Sequence, residues 1–360
     1  MTWIPTVIPC LLLVAGSCER QQAGPAGTDF DFSKGVFILC EGQFLAANAS
    51  VSFFNPQTDS VYNHAFRRAN GVPLGDVANS MYLSGDDAYI VVNNSGKIYR
   101  AGSRDMLYRS KITGLTSPRY LVTGEVAGGA RRAWISDLYS GYMLVVDPLA
   151  GTRVDSIRIS RSGERLSSEQ MVLHEGELFV ACWSYGRQVL VIDTSTGEIT
   201  DSIEVGLQPN SMAVDGEGHL WVLSDGGYSY SPIPQEHASL CRIDMKSRKA
   251  ETMKVWDDLS LSPSDLCIDE TGDYLYFLSD GVYKVSLDMV GFSGPLIPSQ
   301  DRQFYSLGVD PSDGTLYVGD AVDYQQDGRV YRYRPDGSAI DSFRVGVNPC
   351  GFYFIPSAQR

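Results

Sequence analysis

Histidine is scarce: four occur in 360 residues, and they are scattered. His64, His174, His219 and His237 make no pair at metal-ligand spacing, and neither a metalloprotease motif nor a nucleophile elbow is present. Lys and Arg number 29 against 43 Asp and Glu, and nowhere do they form a block. A net charge of −14 without a clustered basic surface excludes nucleic acid as a partner class. The one apolar run near the N-terminus, Val7 to Val14, falls far short of the ~20 residues a membrane-crossing helix needs. Seven cysteines occur, at spacings that match no zinc pattern. These absences point away from an enzyme, a bound metal and a cofactor.

The chain is rich in what β structure uses. Hydrophobic residues make up 43%, and the 36 Gly and 20 Tyr suit many short strands joined by tight turns. At the N-terminus, Ala15-Gly16-Ser17-Cys18 resembles a bacterial lipobox, in which cleavage exposes a cysteine for lipid attachment. The match departs from the pattern in one respect, because Met1 to Pro9 contains no Lys or Arg. The expectation is a signal peptide over 1–17, lipidation at Cys18, a Gly- and Gln-rich tether over 18–33 and a folded body over 34–360. An ordinary signal peptide followed by a free cysteine is the alternative.

The body repeats. A short apolar strand recurs, anchored at Met81, Leu121, Met171, Met212, Leu266, Leu307 and Phe352, at intervals of 40 to 54 residues. A Gly- and Asp-rich turn follows each copy, then an aromatic and β-branched strand such as His219-Leu220-Trp221-Val222-Leu223, then two further strands. Seven such copies predict an all-β, seven-bladed β-propeller with four-stranded antiparallel blades. The seventh copy is split. Gly351 to Phe354 has no following partners, and Gly35 to Leu39, Ser50 to Phe54 and Ser60 to Tyr62 supply the missing strands, so N-terminal strands close the ring on the C-terminal one. This places Cys40 beside Cys350, either as a disulfide or as two packed thiols; the geometry a cross-strand disulfide demands favours the thiols.

Two phrases, Val205-Gly206-Leu207-Gln208-Pro209-Asn210 and Val345-Gly346-Val347-Asn348-Pro349-Cys350, resemble the blade-joining segment of YncE-like propellers. The opening Gly35 to Phe44 with Asn48 to Phe53, and the segment Asn70 to Met81, are similar to the Bacteroidetes YncE-like surface lipoproteins, among them the BtuG-type cobalamin-binding proteins. That resemblance covers essentially the whole mature chain. It implies a lipid-anchored, surface-exposed outer-membrane protein that captures a small-molecule nutrient, a corrinoid in the BtuG-type case, for a TonB-dependent receptor.

The propeller pattern also sorts the loops. Blade-entry loops and second-to-third loops share one face, and the latter carry the aromatics Phe44, Tyr139, Trp183, Tyr185, Tyr228, Tyr230 and Tyr324. Blade-entry residues Asn79, Arg119, Glu169, Asn210, Ser264, Tyr305 and Cys350 surround the central opening on that face. Second-strand ends add Glu41, Asn93, Asp137, Asp225, Asp280 and Asp320. Aromatic surfaces among convergent hydrogen-bonding groups suit a large, partly apolar, polar-edged ligand. The candidate ligand-binding residues are therefore Glu41, Asn79, Arg119, Asp137, Tyr139, Trp183, Tyr185, Asn210, Asp225, Tyr228, Tyr230, Asp280, Tyr305 and Asp320. Two other functions fit the same face: a scaffold that grips a protein partner, and an extracellular hydrolase or lyase.

Overall fold

In the computed structural model, the described residues are 32–126, 128–161, 164–289 and 294–355. The signal segment and Cys18 lie outside them. The described chain is a seven-bladed β-propeller, each blade a four-stranded antiparallel sheet. Blade 1 runs Ala78–Ser84, Asp87–Val92, Lys97–Gly102 and Tyr108–Thr113, from the central channel outward. Blade 2 comprises Pro118–Glu125, Arg131–Asp137, Tyr142–Val146 and Arg153–Arg158. Met171–His174, Glu177–Ala181, Gln188–Asp193 and Ile199–Glu204 form blade 3. Blade 4 is Pro209–Val214, His219–Ser224, Ser239–Asp244 and Lys249–Val255. Blade 5 is Ser264–Ile268, Tyr274–Leu278, Gly281–Ser286 and Ile297–Pro298, and blade 6 is Phe304–Val309, Leu316–Asp320, Arg329–Tyr333 and Ala339–Arg344.

Blade 7 takes its inner strand from the C-terminal end, Pro349–Phe354, and its other three from the N-terminal end, Val36–Cys40, Ser50–Asn55 and Ser60–Tyr62. Cys40 and Cys350 are free thiols. The register slips between Leu39 and Cys40, which sets Cys40 opposite Pro349. Phe32, counted with the tether in the sequence reading, is buried against Phe37 and Phe53, so the packed body takes it in.

One position explains why the repeat reads as it does. Every second strand carries an aromatic at the same place: Phe37, Tyr89, Trp134, Phe179, Trp221, Tyr276 and Tyr317, none more than 1% exposed. These rings fill the space between adjacent blades, where a large flat side chain covers most area for few lost rotamers. Much of the negative charge sits in turns. Asp147 and Asp193 each accept two backbone N–H bonds across Asp-x-x-x-Gly turns that end at the left-handed Gly151 and Gly197. The Ser195 hydroxyl and then the N–H donors hold Asp193 below its ordinary pKa, and the N–H donors do so for Asp147.

The blades are stitched near the channel by the residue just before five of the seven anchors. Ser80 Oγ donates to the Arg119 carbonyl (2.6 Å) and Ser306 Oγ to that of Pro349 (2.7 Å). Gln170 Oε1 accepts from Met212 N–H (2.6 Å) and Ser211 Oγ from Leu266 N–H (3.1 Å). Asp265 does the same for Leu307 N–H, as the one carboxylate in the series.

Burial pushes the Asp265 carboxyl up to about 6, against the lowering effect of Ser264 O–H and Leu307 N–H. Its folded pKa lies above the unfolded one. The stability it contributes is therefore complete at low pH and lost as the pH rises through about 6. Asp265→Asn keeps an acceptor for Leu307 and removes that loss. The variant is expected to exceed the wild type by about 1–3 kcal/mol at pH 7.5, with the gap closing towards pH 4. Urea unfolding across that pH range checks this, and a gap independent of pH would refute it.

Candidate functional site

The upper face carries the blade-entry loops and the second-to-third loops. A repeated bond holds them together: the first residues after a second strand donate to the carbonyl just before that blade's inner strand. It recurs as Asn93 N–H to Val77 (2.7 Å), Leu138 to Ser117 (3.0 Å), Asp225 to Gln208 (3.1 Å), Ala321 to Gln303 (2.9 Å) and Glu41 to Asn348 (2.8 Å). Val77, Gln208 and Asn348 sit in the left-handed region, with φ of 56, 57 and 53°. In the two Val-Gly-x-x-Pro phrases, the residue before Pro adds a side-chain bond. Gln208 Nε2 reaches Asp225 Oδ1 (3.0 Å), and Asn348 Nδ2 reaches the Gly42 carbonyl (2.9 Å). The phrase is thus a clamp on the upper loop of its own blade.

This arrangement assigns the strand-end carboxylates. Asp137 accepts from the N–H groups of Thr116, Ser117, Tyr139 and Ser140 at 2.8–3.1 Å. Asp320 accepts from Gln303 and Val322 N–H at 3.0 and 2.8 Å. Asp225 takes Gly227 N–H, Gln208 and Trp183 Nε1, the last at 2.9 Å. Its burial outweighs these bonds and raises its pKa. Asp280 is exposed and accepts from Tyr283 O–H (2.6 Å). The four carboxylates hold separate loops in place and do not converge. Among the described residues, no group of His, Cys, Asp and Glu could hold a metal ion.

Around the channel mouth, Arg119 grips Glu169 through three N–H···O contacts of 2.6–2.9 Å. Burial works against the Arg119 charge, but the Glu169 carboxylate outweighs it and holds the guanidinium above its ordinary pKa. Asn79 Nδ2 donates to the Arg119 carbonyl (2.7 Å) and Asn210 Nδ2 to that of Pro263 (2.7 Å). Tyr305 donates its hydroxyl to Glu41. Burial raises the pKa of both partners, and the Glu41 charge raises that of Tyr305 further. The mouth is a set of paired polar side chains, with Glu169 buried and Glu41, Asn79, Arg119, Asn210 and Tyr305 half-buried.

The aromatics behave differently. Phe44 (70%), Tyr139 (58%), Tyr185 (50%), Tyr230 (85%) and Tyr324 (47%) stand exposed on the loops of blades 7, 2, 3, 4 and 6. Tyr228 is half-buried and stacked on Tyr230, with rings 7° from parallel and 5.5 Å apart. Tyr324 meets Tyr305 edge-on at 5.8 Å. Tyr185, Tyr324 and two apolar neighbours absent from the sequence reading, Leu45 and Val322, adopt φ of 59–67°. A β-branched residue there is an outlier, so local strain is retained to present these side chains outward. Leu45 (76% exposed) and Val322 (39%) carry no periodic signal that would have singled them out.

A seven-bladed ring of four-stranded antiparallel sheets defines the chain as a β-propeller, with five exposed aromatics on its upper loops. The chain belongs to the DUF5074 family, a domain of unknown function, which matches residues 34–342. No curated protein matches the sequence. Among solved structures, it is similar to a quinonprotein alcohol dehydrogenase-like protein from Bacteroides thetaiotaomicron, with TM-score 0.69 and 16% identity over 91% of this chain and 80% of that one. It is also similar to a functionally unknown protein from Desulfotomaculum acetoxidans, with TM-score 0.62 and 10% identity over 89% and 99% of the two chains. A third likeness is to the dihydro-heme d1 dehydrogenase NirN, with TM-score 0.58 and 12% identity over 91% and 76%. At such identities these likenesses show the fold alone.

Proposed function

We propose that the upper face is a binding site for a large, flat, polar-edged small molecule, and that the protein captures this nutrient rather than transforming it. The exposed aromatic collar carries the reading: Phe44, Tyr139, Tyr185, Tyr230 and Tyr324 come from five blades and surround a mouth lined by the Arg119–Glu169 and Glu41–Tyr305 pairs. Rings offer stacking area, and the carboxylate oxygens of the mouth pairs keep further acceptor positions for donors on a polar fringe. A corrinoid has that form. In the full reading, Cys18 carries the lipid anchor at the outer membrane, and the ligand passes to a TonB-dependent receptor.

Titration calorimetry with cyanocobalamin tests it. Tyr139→Ala, Tyr185→Ala and Tyr230→Ala are each expected to weaken binding by about 1–3 kcal/mol, since stacked aromatic anchors dominate such sites. Absence of heat and of thermal stabilisation by the ligand removes the corrinoid, and unchanged affinity in all three variants moves the site off the collar. A protein partner on the same face is the second reading. Phe44, Leu45 and Val72 are exposed on two loops joined by the Leu45 N–H to Asp76 bond and the Ala49–Gly75 bridge. Co-purification of a receptor without any nutrient would favour it.

A further inference from the structure

Of the two carboxylates at the channel mouth, Glu169 is paired with Arg119, whereas Glu41 forms no ion pair among the described residues. Glu41 follows the second strand of blade 7, and its backbone is fixed on both sides. Its N–H donates to the Asn348 carbonyl (2.8 Å), and its own carbonyl accepts from Ala78 N–H (3.2 Å). The side chain reaches away from its blade. Oε2 accepts from the hydroxyl of Tyr305, on the inner strand of blade 6. The charge of Arg119, on the inner strand of blade 2, acts on the same carboxylate. Blades 7 and 1 lie between those two in the ring, so a group within reach of both stands in the central opening. It also adjoins the collar, because the Tyr305 ring meets Tyr324 edge-on.

The polar groups around Glu41 are unequally engaged. The Asn79 and Asn210 amides give N–H bonds to the carbonyls of Arg119 and Pro263. Arg119 is committed to Glu169 through Nε and one terminal nitrogen. Among the described residues, no hydrogen bond reaches Oε1 of Glu41, and that oxygen keeps contact with solvent. Burial works against the Glu41 charge, and the Tyr305 hydroxyl and the Arg119 charge offset this only in part. Such a carboxylate gains most from a ligand N–H, which adds a charge-assisted hydrogen bond. It gains nothing from a ligand carboxylate, which adds like charge and no donor.

We propose that Glu41 is the specificity-determining residue of the collar site: its Oε1 takes an N–H donor from the ligand edge and turns carboxylate-edged ligands away. The proposal rests on the collar being the binding site, and its test uses probes that do not presuppose a corrinoid. Benzamidinium, benzamide and benzoate share one flat ring and differ in the edge group. Their affinities for the full chain are read by NMR titration. Benzamidinium is expected to bind about tenfold more tightly than benzoate, with benzamide between, as a hydrogen bond to a charged group allows. Glu41→Gln keeps an acceptor for the Tyr305 hydroxyl and is expected to erase that order, whereas Glu41→Asp keeps the charge and is expected to preserve it. Glu217→Gln removes the same charge from an 83%-exposed side chain on the lower turn of blade 4, and is expected to leave the order untouched. Unchanged melting temperatures show that the variants fold. Equal binding of the three probes by the wild type overturns the proposal and leaves the collar standing. A preference that survives Glu41→Gln, or that Glu217→Gln reduces as much, overturns it too. Binding of none of the three removes the collar reading and the proposal together.

Discussion

Arg119→Met is expected to destabilise the ring by about 3–5 kcal/mol, because it strands a buried carboxylate. The Glu169 side chain is 5% exposed and the Arg119 side chain 22%, so the pair is held largely out of water. Removing one partner leaves the full desolvation penalty on the other, whereas replacing both with apolar groups is often neutral. Arg119→Met with Glu169→Met is therefore expected to recover most of the loss. Arg119→Lys recovers less, since a single ammonium cannot reproduce the forked contact. Equilibrium urea unfolding of the three variants measures this. If the double variant is as unstable as the single, the pair is not an isolated couple and the mouth depends on the guanidinium for something more.

The second large effect belongs to the interblade aromatics. Trp221→Ala is expected to cost about 3–5 kcal/mol, the usual range for deleting a fully buried aromatic. Trp221 is 0% exposed, and its Nε1 donates to Asp215 Oδ2 at 2.8 Å. Asp215 also accepts from His219 N–H and faces His219 Nδ1 at 3.1 Å, so the indole helps organise the lower turn of blade 4. Trp221→Phe keeps most of the packing and loses that bond, at a cost of about 1–2 kcal/mol. Unfolding measurements that show equal losses for Phe and Ala would place the importance in the hydrogen bond rather than the ring.

Both residues illustrate what a sequence of this kind reveals. The seven anchors and the second-strand aromatics recur in register, so the blades and their closure across the chain ends were legible without coordinates. The helix Ala65–Asn70 was not, because six residues cannot form a stable helix by propensity and His64 offers no side-chain cap. Only its packing on Tyr99 and Met106 makes it. The upper face was half legible. The exposed tyrosines stand where the loop order put them. The role of a strand-end aspartate depends on donors far along the chain, such as Thr116 for Asp137 or Gln303 for Asp320, which no local pattern encodes. Asp265 went unnoticed for a related reason, since its partner is the backbone of the next blade.

The split blade gives the last strand the character of a latch. Val36–Cys40 leads the folded body in chain order, yet one of its edges is paired only by Pro349–Phe354, the final described strand. Throughout synthesis that edge waits, apolar and unpaired, as a template for any strand that arrives first. Six blades can assemble by local hairpins, but the seventh requires contact between the two ends of the chain. Closure is thus the late, non-local step, and an intact C-terminal end is the condition for a ring that presents its upper face at all.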